Sequence, residues 1–117
     1  MDVKGVYERA SQFDSIRLVQ GQFSETLPKF NNSVSLLYID CDLYKSYLDV
    51  LQSLYDHVQE QGVIVFDEYF SYKYPGARVA VDEFFADKPG WFEVYHTDDT
   101  FERWYFVKQS DFGGCLR

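Results

Sequence analysis

LLYIDCDLY, residues 36–44, carries an apolar run into two acids, Asp40 and Asp42, with one residue between them. VIVFDE at 63–68 repeats the design, ending in Asp67 and Glu68. Short apolar runs of this kind read as strands buried in a sheet. One acid at a strand end is accounted for as a helix cap, and Asp42 is placed to cap a helix starting at Tyr44. Two strands that both end in paired acids instead gather ligands on one edge of a sheet.

The segment between these strands changes period. Tyr47, Leu48, Leu51, Leu54, Tyr55 and Val58 recur at helical spacing, predicting a helix from Tyr44 to Gln61 that Gly62 ends in a left-handed residue. Upstream, residues 3–13 read as a helix with Val6 and Ala10 on one face, and IRLVQG at 16–21 reads as a strand. QFSETLPKFNNS is a loop with one helical turn around Ser24 to Leu27, and VSLLYID, nearly continuous in apolar residues, is expected to be covered on both faces. Downstream, SYKYPG is turn-rich. ARVAVDEFFADK forms a second amphipathic helix with Ala77, Ala80, Val81, Phe84 and Phe85 inward, stopped by Pro89-Gly90. WFEVYHT and ERWYFVKQ, joined by DDTF, make a closing antiparallel hairpin. Strands alternating with helices in this order define an α/β sheet with parallel crossovers. In such sheets ligands bind at the carboxyl ends of the strands, where Asp40, Asp42, Asp67 and Glu68 fall.

The totals narrow the function. A chain of 117 residues has room for one domain. Eleven Lys and Arg against nineteen Asp and Glu leave a net charge of -8, which repels a phosphate backbone or an anionic membrane. No apolar run approaches the roughly 20 residues of a bilayer span, and MDVKGVYERASQF lacks the apolar core of a signal peptide, so a cytoplasmic location is expected. Cys41 and Cys115 form no metal-binding spacing; the first reads as a free buried thiol and the second as an exposed one. His57 reads as a half-exposed helix residue beside the apolar stripe, and His96 ends a strand. A P-loop or GxGxxG stretch is absent.

Carboxylates converging on one edge repel one another, and a hard divalent cation such as Mg²⁺ relieves that repulsion. Such an ion fixes substrate hydroxyl oxygens and lowers their pKa, while a neighbouring acid serves as general base.

IDCDLYKSYLDVLQSLYDHVQEQGVIVFDEY, followed by PGARVAVDEFF and preceded by QGQFSETLP, resembles the macrocin O-methyltransferase family from about residue 3 to 107. The resemblance implies an S-adenosylmethionine- and Mg²⁺-dependent enzyme that methylates a sugar or similar hydroxyl. It implies Asp40 as the first metal ligand, Asp67 as the second, Glu68 as the third (in place of the usual Asp), and Asp42 as the general base. Tyr44, Tyr69 and Arg78 are candidates to border the substrate, against an ordinary packing or surface role. The implied fold is the C-terminal part of a class I (Rossmann-like) methyltransferase sheet with its closing hairpin. The first two strands, with their glycine-rich cofactor-binding turn, are missing, so cofactor-binding residues stay unassigned. Residues 1–117 then form a single incomplete domain with a loose tail at 109–117, not active alone. VSLLYID becomes an exposed edge, and the expected partners are a small hydroxyl substrate together with a second copy or a missing N-terminal half. Two rival readings remain open: a non-catalytic remnant that dimerises through this edge, and a fragment of a glycosyltransferase that holds its metal through a DxD pair.

Overall fold

A computed structural model describes residues 3–67, 75–98 and 101–109. In chain order these form α1 (Val3–Ala10), α2 (Phe23–Thr26), β1 (Val34–Ile39), α3 (Tyr44–Leu54), β2 (Val58–Phe66), α4 (Gly76–Phe85), β3 (Gly90–Asp98) and β4 (Phe101–Lys108). A 3₁₀ turn at Leu27–Lys29 continues α2, and another at Tyr55–His57 links α3 to β2.

The strands make one four-stranded sheet in the order β1-β2-β4-β3. β1 and β2 are parallel, with Leu37 opposite Ile64 and Ile39 opposite Phe66. β4 runs antiparallel to both neighbours, so β3 and β4 form the expected closing hairpin.

One face of the sheet carries the core. Ile39, Ile64, Phe66 and Phe106 point into the layer built by α3 and α4, where they meet Tyr47, Leu51, Ala77, Ala80, Val81 and Phe85. Each large apolar side chain buried there contributes roughly 1.5–3 kcal/mol. Aromatic edges fill the layer: Phe85 lies 4.3 Å from Phe106 and 5.7 Å from Phe66, centroid to centroid. Gly76 lets α4 approach α3 closely, since a Cβ there would stand 3.0 Å from the backbone nitrogen of Tyr44. Both helices therefore begin at the carboxyl end of the parallel strands, with their positive dipole ends beside it.

The opposite face has no helix over it among the described residues. Leu36 is 61% exposed and Tyr38 49%, with Trp91 and Tyr95 further along the same surface. The expectation that VSLLYID is covered on both faces is thus corrected: apolar composition sets the potential for burial, and among the described residues only one layer fulfils it.

Four further expectations change. IRLVQG forms no strand. A strand exists only through hydrogen bonds to a neighbour, and no described strand lies beside it. The helix predicted to Gln61 ends at Leu54, because Val58 pairs with Val34 and is drawn into β2. The left-handed residue is Gln61 (φ 66°) rather than Gly62. Gly62 is required for space, since a Cβ there would come within 2.8 Å of the Gln59 carbonyl oxygen. The Nζ of Lys108 closes this junction by donating to the carbonyls of Tyr55 (2.9 Å) and Val58 (2.8 Å). Finally, the N-cap of α3 is Leu43, without a side-chain cap bond, so Asp42 does not cap the helix.

No described helix is long and apolar enough to cross a membrane. Glu68, Tyr69, Cys115 and the tail beyond Gln109 lie outside the described residues, as does most of the SYKYPG loop.

Candidate functional site

The parallel ladder ends at Ile39 and Phe66, and the next residues on each strand are Asp40 and Asp67. The N–H of Asp67 donates to the Ile39 carbonyl at 3.0 Å, carrying the register one step past the strands. The same carbonyl accepts the hydroxyl of buried Tyr47 at 3.3 Å. Two donors from two elements thus hold the backbone from which Asp40 emerges. The structure brings Asp40 and Asp67 to adjacent strand ends, with Asp42 in the short connection to α3.

These acids differ in their surroundings. Asp40 and Asp42 are exposed, and neither side chain has a hydrogen bond or ion pair with another described residue. Their charge is felt locally: burial first, then the carboxylates of Asp42 and Asp40, push the half-buried Cys41 thiol up to about 12. Cys41 is a free cysteine.

Asp67 is half-buried and engaged. Its Oδ1 accepts the Tyr38 hydroxyl at 2.6 Å and pairs with the guanidinium of Arg103. Arg103 Nη1 also donates to the Tyr38 hydroxyl oxygen at 2.6 Å, and its guanidinium carbon lies 5.5 Å from the Tyr38 ring centre. Sequence reading missed Arg103 and Tyr38. The signal that finds them is the antiparallel register: Phe66 faces Trp104, so Asp67 and Arg103 meet one step further on.

Two other candidates resolve into structural ties. The Tyr44 hydroxyl donates to Glu83 Oε2 at 2.7 Å, joining α3 to α4. Arg78 is exposed and pairs with Asp82 one turn along α4 at 3.7 Å. His57 packs edge-on against Phe30, with centroids 5.5 Å apart, and is half-exposed as expected. Beside the acidic edge a groove of about 390 Å³ is lined by Gly21, Gln22, Phe23, Ser24, Leu43 and Lys45, among others.

The donor set has the chemistry of a hard-cation site: carboxylate oxygens at neighbouring strand ends. Among the described residues no group of three or more His, Cys, Asp or Glu is arranged to hold a metal. Of the expected ligand set, Asp40 and Asp67 lie at neighbouring strand ends, and Glu68 lies outside the described residues.

The strand order, with acids at the carboxyl ends and a closing antiparallel hairpin, is that of part of a class I methyltransferase. Solved structures agree. NovP, an O-methyltransferase, superposes with a TM-score of 0.73 over 92% of this chain and 43% of its own, at 27% identity. The methyltransferase PaMTH1 of Podospora anserina, bound to SAH, shares the fold at 15% identity and a TM-score of 0.65, covering 92% of this chain and 55% of its own. Residues 4–104 match the Macrocin-O-methyltransferase (TylF) family, and the chain belongs to that family. It is 35% identical over 74 residues to a demethyldecarbamoylnovobiocin O-methyltransferase of Streptomyces niveus; the match covers 62% of this chain and 28% of that one. The match thus spans 28% of the novobiocin O-methyltransferase and 43% of NovP.

Proposed function

We propose that the chain supplies the cation-binding and proton-accepting part of an S-adenosylmethionine-dependent O-methyltransferase whose acceptor is a sugar or similar small-molecule hydroxyl. The observation that carries this is the placing of Asp40 and Asp67 directly after the paired ends of two parallel strands, in a chain of this family. Family membership also sets aside the glycosyltransferase reading.

In this proposal Asp40, Asp67 and Glu68 would hold a divalent cation, Mg²⁺ by its preference for carboxylate oxygen. When bound, that ion supplies orientation and increased acidity to the acceptor oxygens. Asp42 takes the hydroxyl proton onto a carboxylate oxygen. It is exposed, is relieved of helix capping, and stands next to the ligand set. When bound, S-adenosylmethionine would supply an electrophilic methyl group to the acceptor oxygen. Holding the two reactants in line accounts for much of the rate in such a transfer.

The cofactor's own pocket is not assigned to described residues, since no glycine-rich strand-turn occurs in the sequence. We propose that the bare sheet face and the open β1 edge receive the strands and helices that complete the domain. The exposed edge favours a second reading, in which it pairs with another copy of the chain.

Calorimetric titration of the 117-residue chain with Mg²⁺ and with S-adenosylhomocysteine tests the proposal. The expected result is Mg²⁺ binding that disappears in Asp40→Ala, with no binding of S-adenosylhomocysteine. Absence of any Mg²⁺ heat contradicts the ligand assignment. Stoichiometric micromolar binding of S-adenosylhomocysteine contradicts the need for a completing segment.

A further inference from the structure

A second cavity lies away from the acidic edge. Its volume is about 490 Å³, within the roughly 300–1,000 Å³ of small-molecule pockets. The lining takes Arg17 and Gln20 from the IRLVQG segment, and Lys29, Asn31 and Asn32 from the turn that leads into β1. Asn32 precedes the amino end of β1 and Asp40 follows its carboxyl end, so a strand of roughly 20 Å separates them. The lining holds two cations and three side-chain amides but no carboxylate, in a chain whose net charge is -8. Neither Arg17 nor Lys29 forms a side-chain hydrogen bond or ion pair with another described residue. Two positive charges on one cavity repel each other, and an anion between them removes that cost. Val19 and Phe30 add an apolar wall. Phe30 is fixed by its N–H, which donates to the Leu27 carbonyl at 3.0 Å, and by the His57 ring packed edge-on against it.

We infer that this cavity binds a small phosphorylated organic molecule, with its phosphoryl group between Arg17 and Lys29 and its organic body against Phe30 and Val19. A phosphoryl group carries nearly two negative charges at neutral pH and three strong acceptor oxygens. The planar guanidinium of Arg17 matches two of those oxygens, and Lys29 supplies a point charge. The amides of Gln20, Asn31 and Asn32 donate to the remaining lone pairs. A single carboxylate would leave one cation without its counter-charge. A free phosphate ion would leave the apolar wall and most of the volume empty. The inference is independent of the strand-end acids and of the cation assigned to them.

The test is an NMR titration of the full 117-residue chain with inorganic phosphate and with phenyl phosphate at constant ionic strength. Phenyl phosphate is expected to shift the Arg17 guanidinium and the Asn31 and Asn32 side-chain amide signals together, to saturation. It binds at least ten-fold more tightly than inorganic phosphate. Arg17→Gln and Lys29→Gln each weaken it at least ten-fold, whereas Phe30→Leu weakens phenyl phosphate and leaves inorganic phosphate unchanged. Arg78→Gln, which removes a charge from the exposed surface of α4, changes affinity less than two-fold. Unchanged backbone signals of Ile39 and Phe106 in each variant report an intact sheet. Equal affinity for the two probes, lost in both charge variants, supports the phosphoryl site but overturns the organic body and makes free phosphate the ligand. Binding that survives Arg17→Gln and Lys29→Gln overturns the site, as do unsaturable shifts spread over all basic residues.

Discussion

Asp40, Asp42 and Asp67 are chemically alike, yet the fold gives each a separate setting. Asp40 leaves a strand end pinned by Tyr47 and Asp67, Asp42 stands in the open before α3, and Asp67 lies between Tyr38 and Arg103. The positions of these acids were legible in the apolar runs that precede them. Arg103 was not, because 36 residues separate it from Asp67 and only strand pairing joins them. Cys41 offers a direct reading of the local charge. Its thiol, raised by burial and by two carboxylates, is almost wholly protonated at pH 8. In a Cys115→Ser background, alkylation by iodoacetamide at pH 8 should run on the order of a thousand-fold slower than for an ordinary free thiol, because the thiolate is the nucleophile. A rate near that of a free thiol would show that Cys41 is neither buried nor flanked by charge in this way. The raised pKa also implies stability that is complete below the ordinary thiol pKa of 9.0 and declines as pH climbs toward about 12.

Among the elements, α4, β1 and the hairpin β3–β4 follow their sequence patterns closely, since one strong apolar period covers each. The α3–β2 junction does not. Val58 continues the helical stripe of α3 and equally suits a strand, and pairing with β1 decides in favour of the strand. Gly90 shows how tightly the hairpin is built. It begins β3 at φ +142°, and a Cβ there would stand 2.3 Å from the Val107 carbonyl oxygen and 2.4 Å from the Phe106 ring. Gly90→Ala therefore combines backbone strain with displacement of a core aromatic. Thermal or urea denaturation should register a loss of roughly 2–4 kcal/mol, within the range for overpacking plus an unfavourable φ. An unchanged midpoint would mean that β3 and β4 shift apart freely, contrary to their packing against Phe85.

At the scale of the molecule, the sheet is a half-covered structure. α3 and α4 shield one face, while Leu36, Tyr38, Trp91 and Tyr95 stand exposed on the other, and α1 buries no residue. Exposed β1 offers unpaired backbone groups along an apolar edge, the usual template for pairing with another chain. The 117-residue chain by itself should therefore self-associate as concentration rises, and Leu36→Lys should reduce that association. Light scattering after size exclusion measures both; a strict monomer at high concentration would remove edge pairing as a property of this chain. Composition and local pattern alone determined the α/β class, the strand ends bearing Asp40 and Asp67, and the family resemblance, because these depend on neighbours within a few residues. Only the tertiary structure decided that IRLVQG is not a strand, that α3 stops at Leu54, and that Asp67 is held by Arg103. Each of these depends on which distant backbone supplies the missing hydrogen bond or charge, and that is a property of the assembled sheet.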